Sequence, residues 1–320
     1  MISAANAICI LALLGTGATA QNNITIAGAG YSHPDISIAP GQLTTLFLTG
    51  SSIVLSGQPR IQWSPTVPFP TNLAGFSVSI SQSGARNSTE QAPIVGVQQT
   101  NLCGTEPPPS QSCIVTAVSL QIPSDLAANV GQMCPTCGVS TTISILENGK
   151  QGASFLAAAL PQNIHILTTC DTIIYNHTSG SCQELIMHGT GSAVSASQPA
   201  TAGEILVMYA VGLGATNPLV PAGNATPSPA PVATGDFSMQ FAYSGGATIG
   251  PSSGSPILQS PIKFVGMTPT AVGLYQVNFI VPSPLPNATS CQQTPDQTNL
   301  TVTLSSSASA DSAKICVSTP

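Results

Sequence analysis

From residue 274 the chain reads Leu-Tyr-Gln-Val-Asn-Phe-Ile-Val-Pro, with Tyr275, Val277 and Phe279 alternating with Gln276 and Asn278. An apolar residue at every second position turns one face of an extended chain toward a core and the other toward water. The same period marks FSVSI (76–80), VTAVSLQIP (115–123), TTISIL (141–146) and NLTVTL (299–304). A helical period does not fit these runs. They are short and separated by clusters of Gly, Pro and Ser, which predicts strands joined by turns.

The runs also recur in order. APGQLTTLFLTG (39–50) aligns with TAGEILVMYAVG (201–212), with Gly41 and Gly203 at the strand entrances and Gly50 and Gly212 at the exits. Each copy then makes a Pro-rich excursion, 51–75 or 215–236, before a segment opening with Phe76-Ser77 or Phe237-Ser238. Next come APIVGV (92–97) and PIKFVGM (261–267), then VTAVSLQIPSDL (115–126) and LYQVNFIVPSPL (274–285). TTISIL with ASFLAAA closes the first copy, and NLTVTL with AKICVS the second. An ordered repeat of this kind predicts an internal duplication. The expected fold is all-β, with two tandem immunoglobulin-like β-sandwich domains at 21–160 and 161–320. The excursion at 215–236 is expected to be a partly extended, polyproline-like loop.

Residues 1–20, MISAANAICILALLGTGATA, form an apolar run closing on Ala-Thr-Ala, which predicts a secretory signal peptide cleaved after Ala20. The segment ahead of the apolar run carries no Lys or Arg, a departure from the usual pattern, and Cys9 follows Ile8, which does not suit a lipid anchor. No later stretch is apolar for the ~18 residues that a membrane helix needs. The expected localisation is therefore secreted: extracellular, cell-surface or periplasmic. Of the nine cysteines, Cys9 leaves with the leader. The even set that remains is Cys103, Cys113, Cys134, Cys137, Cys170, Cys182, Cys291 and Cys316, which reads as a disulfide framework in an oxidising compartment. Neighbour pairing would give Cys103–Cys113, Cys134–Cys137, Cys170–Cys182 and Cys291–Cys316, the last tying the final strand to the one before it.

Charged residues make up 5% of the chain, against roughly 25% in ordinary globular proteins. Five basic against eleven acidic residues, for a net charge of -6, leave no electrostatic footprint for nucleic acid. So uncharged a surface lacks the usual protection of sheet edges, and self-association through such edges is compatible with it.

HGTGSAVSASQPATAGEILVMYAVGLG (188–214) and VGMTPTAVGLYQVNFIVP (265–282) together are similar to a C-terminal domain family abundant in Solibacter and other acidobacteria. The matching elements are His188 to Gly191, Gln198-Pro199-Ala200, Gly203-Glu204, Gly212-Leu213-Gly214 and Gly273 through Asn278. The resemblance covers about residues 165–320, with a diverged copy at about 36–160 that lacks the Tyr-Gln-Val-Asn wording. It implies secretion and an immunoglobulin-like fold, and it implies no activity. Gly212 and Gly214 bracket a strand end where positive φ or close backbone approach is expected.

Candidate chemistry is sparse. HILTTCDTIIYNHTSGSCQELIMH (165–188) gathers His165, Cys170, Asp171, His177, Cys182 and His188, yet the spacings match no zinc pattern, and a Cys170–Cys182 bridge would remove both thiolates. CPTC (134–137) lacks the βαβ setting of a redox dithiol. GPSSG (250–254) places Ser252 in a Gly/Ser-rich run with no strand-to-helix elbow around it. No metal, cofactor or catalytic residue is expected. For binding, the candidates are the single tryptophan, Trp63, with Arg60 beside it, and the amide pair Gln276 and Asn278. Trp63 would either stack on a sugar ring or plug the end of a sandwich. The expected function is that of an exported, non-catalytic structural or adhesion protein whose partner is an extracellular protein or a glycan. The alternatives are a carbohydrate-binding accessory protein acting through Trp63, and a secreted hydrolase.

Overall fold

Alternation becomes sheet in the computed structural model, which describes residues 24–27, 36–57, 60–84, 87–101, 113–128, 139–171, 182–242, 257–285, 290–294 and 297–318. The first half contributes β1 (Ile24–Ala27), β2 (Ser37–Ile38), β3 (Leu43–Thr49), β4 (Ile61–Trp63), β5 (Asn72–Leu73) and β6 (Phe76–Ser83). It continues with β7 (Ser88–Gln91), β8 (Ile94–Asn101), β9 (Ile114–Gln121), β10 (Ser140–Glu147) and β11 (Lys150–Ala159). The second half holds β12 (His165–Ile166), β13 (Ile186–His188), β14 (Ile205–Val211), β15 (Thr216–Asn217), β16 (Val232–Ala233) and β17 (Ser238–Ala242). It ends with β18 (Ile257–Gln259), β19 (Ile262–Met267), β20 (Tyr275–Ile280), β21 (Leu300–Ser305) and β22 (Ala310–Ile315). The fold is all-β: the helical structure named among the described residues is a single 3-10 turn, Cys291–Gln293.

Strand pairing among the named strands stays within each half, and the two halves repeat it. One sheet of the first half runs β1-β3-β9-β8-β4, and the matching sheet of the second runs β12-β14-β20-β19-β16-β15. The other sheets are β2-β11-β10-β6-β5 and β18-β17-β21-β22. Thus β3-β9-β8 corresponds to β14-β20-β19, and β11-β10-β6 to β22-β21-β17, as the aligned phrases require. Even the short parallel contact recurs: Ile38 pairs with Ala159, and Ala200 with Val317.

Each pair of sheets closes on one apolar cluster. In the first half, Leu46, Val118 and Ile94 of one sheet meet Phe76, Val78, Ile143 and Ile145 of the other. In the second, Leu206, Met208 and Val277 meet Phe241, Val302 and Leu304. The Phe241 and Phe279 rings touch across the gap, with centroids 5.9 Å apart. Side chains from both sheets in one cluster make each half a β-sandwich.

The two Pro-rich excursions are more structured than expected. The first carries β4 and β5, and the second carries β15 and β16, with Val232 paired to Gly266 of β19. In the second, expected as a partly extended loop, prolines fall between short paired stretches, and Thr226 fastens the loop by donating its N–H and its O–H to Ala271 O, both at 2.8 Å.

Candidate functional site

Trp63 lies on the edge strand β4, paired with Gly96 of β8, and remains 55% exposed. More than half of the residue is therefore open to solvent. Arg60 precedes the strand, and its carbonyl accepts the Gln99 N–H at 2.8 Å. Gln276 and Asn278 sit on the outer face of β20, across from Tyr209 and Val207 of β14. The Gln276 amide reaches Asn278 Oδ1 only at 3.5 Å. This pair belongs to the second half and Trp63 to the first.

The motif residues converge instead on the seam between the halves. Gly212 and Gly214 have φ of +75° and +86°, and a Cβ on either would run into main chain, Asn163 O at Gly212 and Pro161 O at Gly214. Asn163 N donates to Gly212 O at 2.8 Å, while its side-chain amide donates to Ser37 O (2.9 Å) and Gln42 Oε1 (3.2 Å) of the first half. A Cβ on Gly273 would stand 2.8 Å from Leu43 Cγ. Tyr275 donates its buried hydroxyl to Gly214 O, and burial pushes that phenol well above its ordinary pKa. Gly223, from the second excursion, accepts from Phe69 N at 3.0 Å and donates to Gln121 Oε1 at 2.6 Å.

Leu43, Val95 and Val211 pack together at this seam, with Phe69 and Leu167 against them. Beside them opens a cleft of about 650 Å³, walled by Leu43, Phe69 and Val95 on one side and by Leu185, Tyr209 and Val211 on the other. Asp171 supplies its one acidic side chain. Chemically the cleft suits apolar groups.

Near that wall, His165 stands between two carboxylates. Nε2 is 3.0 Å from Asp171 Oδ2, although the N–H does not point squarely at it, and Nδ1 is 3.2 Å from Asp311 Oδ2. Burial alone would lower this imidazole, but hydrogen bonding and charge from Asp171 and Asp311 outweigh it and raise the pKa from 6.5 to about 9. Burial likewise works to raise Asp171, yet His165 and the N–H and O–H of Thr168 bring it below its ordinary value. A ring already protonated at neutral pH has no lone pair with which to act as a base. It works as a cation joining β12, the turn at Asp171 and β22. Sequence reasoning missed Asp311, which lies far along the chain and carries no motif.

His188 forms a second such knot. Its Nδ1 is 2.5 Å from Glu204 Oε1, and its Nε2 is 3.1 Å from Gln198 O. With an acceptor at both nitrogens, only the doubly protonated ring can donate twice. Burial opposes that state, while Glu204 and the Gln198 carbonyl raise the pKa above its ordinary value and Glu204 falls below its own. The His-Gly, Gln-Pro-Ala and Gly-Glu elements therefore meet at one point, with Glu204 Oε2 also accepting the Thr201 N–H at 2.9 Å.

Cys170 and Cys182 are bridged, with Cα atoms 5.2 Å apart, as are Cys291 and Cys316, at 5.7 Å. Cys291 sits in the 3-10 turn that follows β20, so its bridge fastens that connection to the end of β22 rather than strand to strand. Cys113 is also disulfide-bonded. Cys103, Cys134, Cys137, His177 and Ser252 lie outside the described residues. Among the described residues, no group of three or more His, Cys, Asp or Glu could hold a metal ion, and no helix is long and apolar enough to cross a membrane. No protein-family model matches the chain, and no curated protein matches it.

Proposed function

We propose that this is an exported structural or adhesion protein of the cell surface or extracellular space, made of two immunoglobulin-like sandwiches related to the acidobacterial domain family. The observation that carries the reading is where the chemically capable residues act. His165, His188, Glu204, Tyr275 and the Gly212-Leu213-Gly214 turn all hold strands, or the two halves, together. The Cys170–Cys182 and Cys291–Cys316 bridges fit an oxidising compartment. To test it, the full chain is expressed in a bacterial host and fractionated, with thiols counted and hydrolysis of ester, peptide and glycoside substrates assayed. The expected result is processed protein outside the cytoplasm, fully bridged and without turnover. Cytoplasmic retention with free thiols, or turnover lost on Ser252→Ala, would overturn it.

One observation favours a second reading, a carbohydrate-binding accessory protein: the exposed Trp63 ring beside the exposed Gln62. An indole face of this kind stacks on sugar rings. Binding on a glycan array that disappears with Trp63→Ala supports it, and unchanged binding removes Trp63 from the account.

A further inference from the structure

The cleft at the seam, about 650 Å³, is the size of a small-molecule site, for which roughly 300–1,000 Å³ is usual. The first half gives it Leu43, Val95 and the Phe69 ring, and the second gives it Leu185, Val211 and the Tyr209 ring. Apolar walls alone select no particular guest. Asp171 does.

Among the described acidic and basic side chains, Asp171 alone lines the cleft, and 28% of its side chain stays open. Every donor that reaches this carboxylate goes to one oxygen. Thr168 N and Thr168 Oγ1 donate to Oδ2 at 2.7 and 2.8 Å, and His165 Nε2 stands 3.0 Å from it. Among the described residues Oδ1 takes no donor at all. Charge points the same way. The His165 cation stands between Asp171 and Asp311, so the three groups together keep one negative charge. A guest that ends in a protonated amine supplies both the missing donor and the missing charge. Such a charge-assisted bond is stronger than one between neutral groups. The Phe69 and Tyr209 rings suit an apolar body and attract a cation over their faces. A carboxylate guest would be repelled by Asp171, and a neutral one would leave its charge unanswered.

We propose that this cleft is a binding site for a small hydrophobic amine, with its protonated nitrogen on Asp171 Oδ1 and its apolar body between Phe69, Val95, Tyr209 and Val211.

Titration calorimetry of the full, oxidised chain near neutral pH tests this with three probes of similar shape: 2-phenylethylamine, 2-phenylethanol and phenylacetate. The amine is expected to bind one-to-one and to saturate. The alcohol should bind about ten-fold more weakly or worse, for want of the charged hydrogen bond, and phenylacetate should not bind. Asp171→Asn, which keeps the shape and removes the charge, brings the amine down to the level of the alcohol. Val272→Trp, which sets an indole on the lining, abolishes binding of both. The control Asp236→Asn removes a charge outside the lining and changes nothing. An amine that fails to saturate overturns the proposal, as does alcohol or phenylacetate that binds equally well. Amine binding indifferent to Asp171→Asn or to Val272→Trp overturns it too. Should Asp171→Asn fail to fold for loss of its pairing with His165, Val272→Trp still decides the place and the three probes the chemistry. None of these outcomes bears on export, on surface location or on Trp63, so the proposal stands or falls apart from the functional readings.

Discussion

Gly203 and Gly212 occupy nearly the same backbone conformation, φ +80° and +75°, in different surroundings. A Cβ at Gly203 meets nothing within 4 Å, whereas one at Gly212 meets the Asn163 main chain. Gly203→Ala is therefore expected to lose about 1 kcal/mol, from left-handed strain alone. Gly212→Ala should lose about 3 kcal/mol or more, because the added methyl must also displace main chain. Urea midpoints of the two variants separate strain from crowding. The other residue-scale test concerns His165, whose pKa rises on folding from 6.5 to about 9. Its stabilisation, about 3 kcal/mol, is complete below pH 6.5 and is lost as pH climbs through 9. Across that window the wild type should lose stability that His165→Gln never had. Subtracting the two profiles removes the parallel contribution of His188. A difference that stays flat from pH 6 to 10 would sink the ion-pair assignment.

At the scale of elements, the period-two runs were readable because each has one wet and one buried face. Tyr275, Val277 and Phe279 are buried and Gln276 and Asn278 are not, as alternation requires. The short strands β4, β5, β15 and β16 were not readable, since two or three residues carry no period and their pairing is set by distant partners. His188 with Glu204 shows the same limit at the site: the motif words were visible, their meeting was not, because spacing along a chain does not say which turns touch. Cysteine spacing did foretell the Cys170–Cys182 and Cys291–Cys316 bridges. They close sequence separations of 12 and 25 residues, which predicts a loss of about 3 kcal/mol for each double Cys→Ser variant. Melting of each variant beside the oxidised wild type measures it. The Cys170→Ser/Cys182→Ser protein should also show a smaller pH step at His165, since Asp171 directly follows Cys170.

For the whole molecule, what matters is whether the halves unfold together. Gln121 bears on this directly: it is 2% exposed, its Nε2 donates to Gly41 O at 3.0 Å within the first half, and its Oε1 accepts Gly223 N at 2.6 Å from the second. Removing that amide leaves the buried Gly223 N–H without its acceptor, a cost of about 2 kcal/mol. Part of the cost falls on contact between the halves and part within the first half, where Gly41 O loses its Nε2 donor, while neither core loses an apolar group: Leu120 and Ile122, the neighbours of Gln121, keep their places in the first cluster. Asn163, Phe69 and the Leu43–Val95–Val211 contact complete the same seam. With the seam intact, the oxidised protein should melt in calorimetry as one transition whose van't Hoff and calorimetric enthalpies agree. With Gln121→Ala the trace should broaden or divide, the less stable half melting first and each half keeping a transition of its own. Two separate transitions already in the wild type would mean that the seam couples nothing and that each sandwich stands alone.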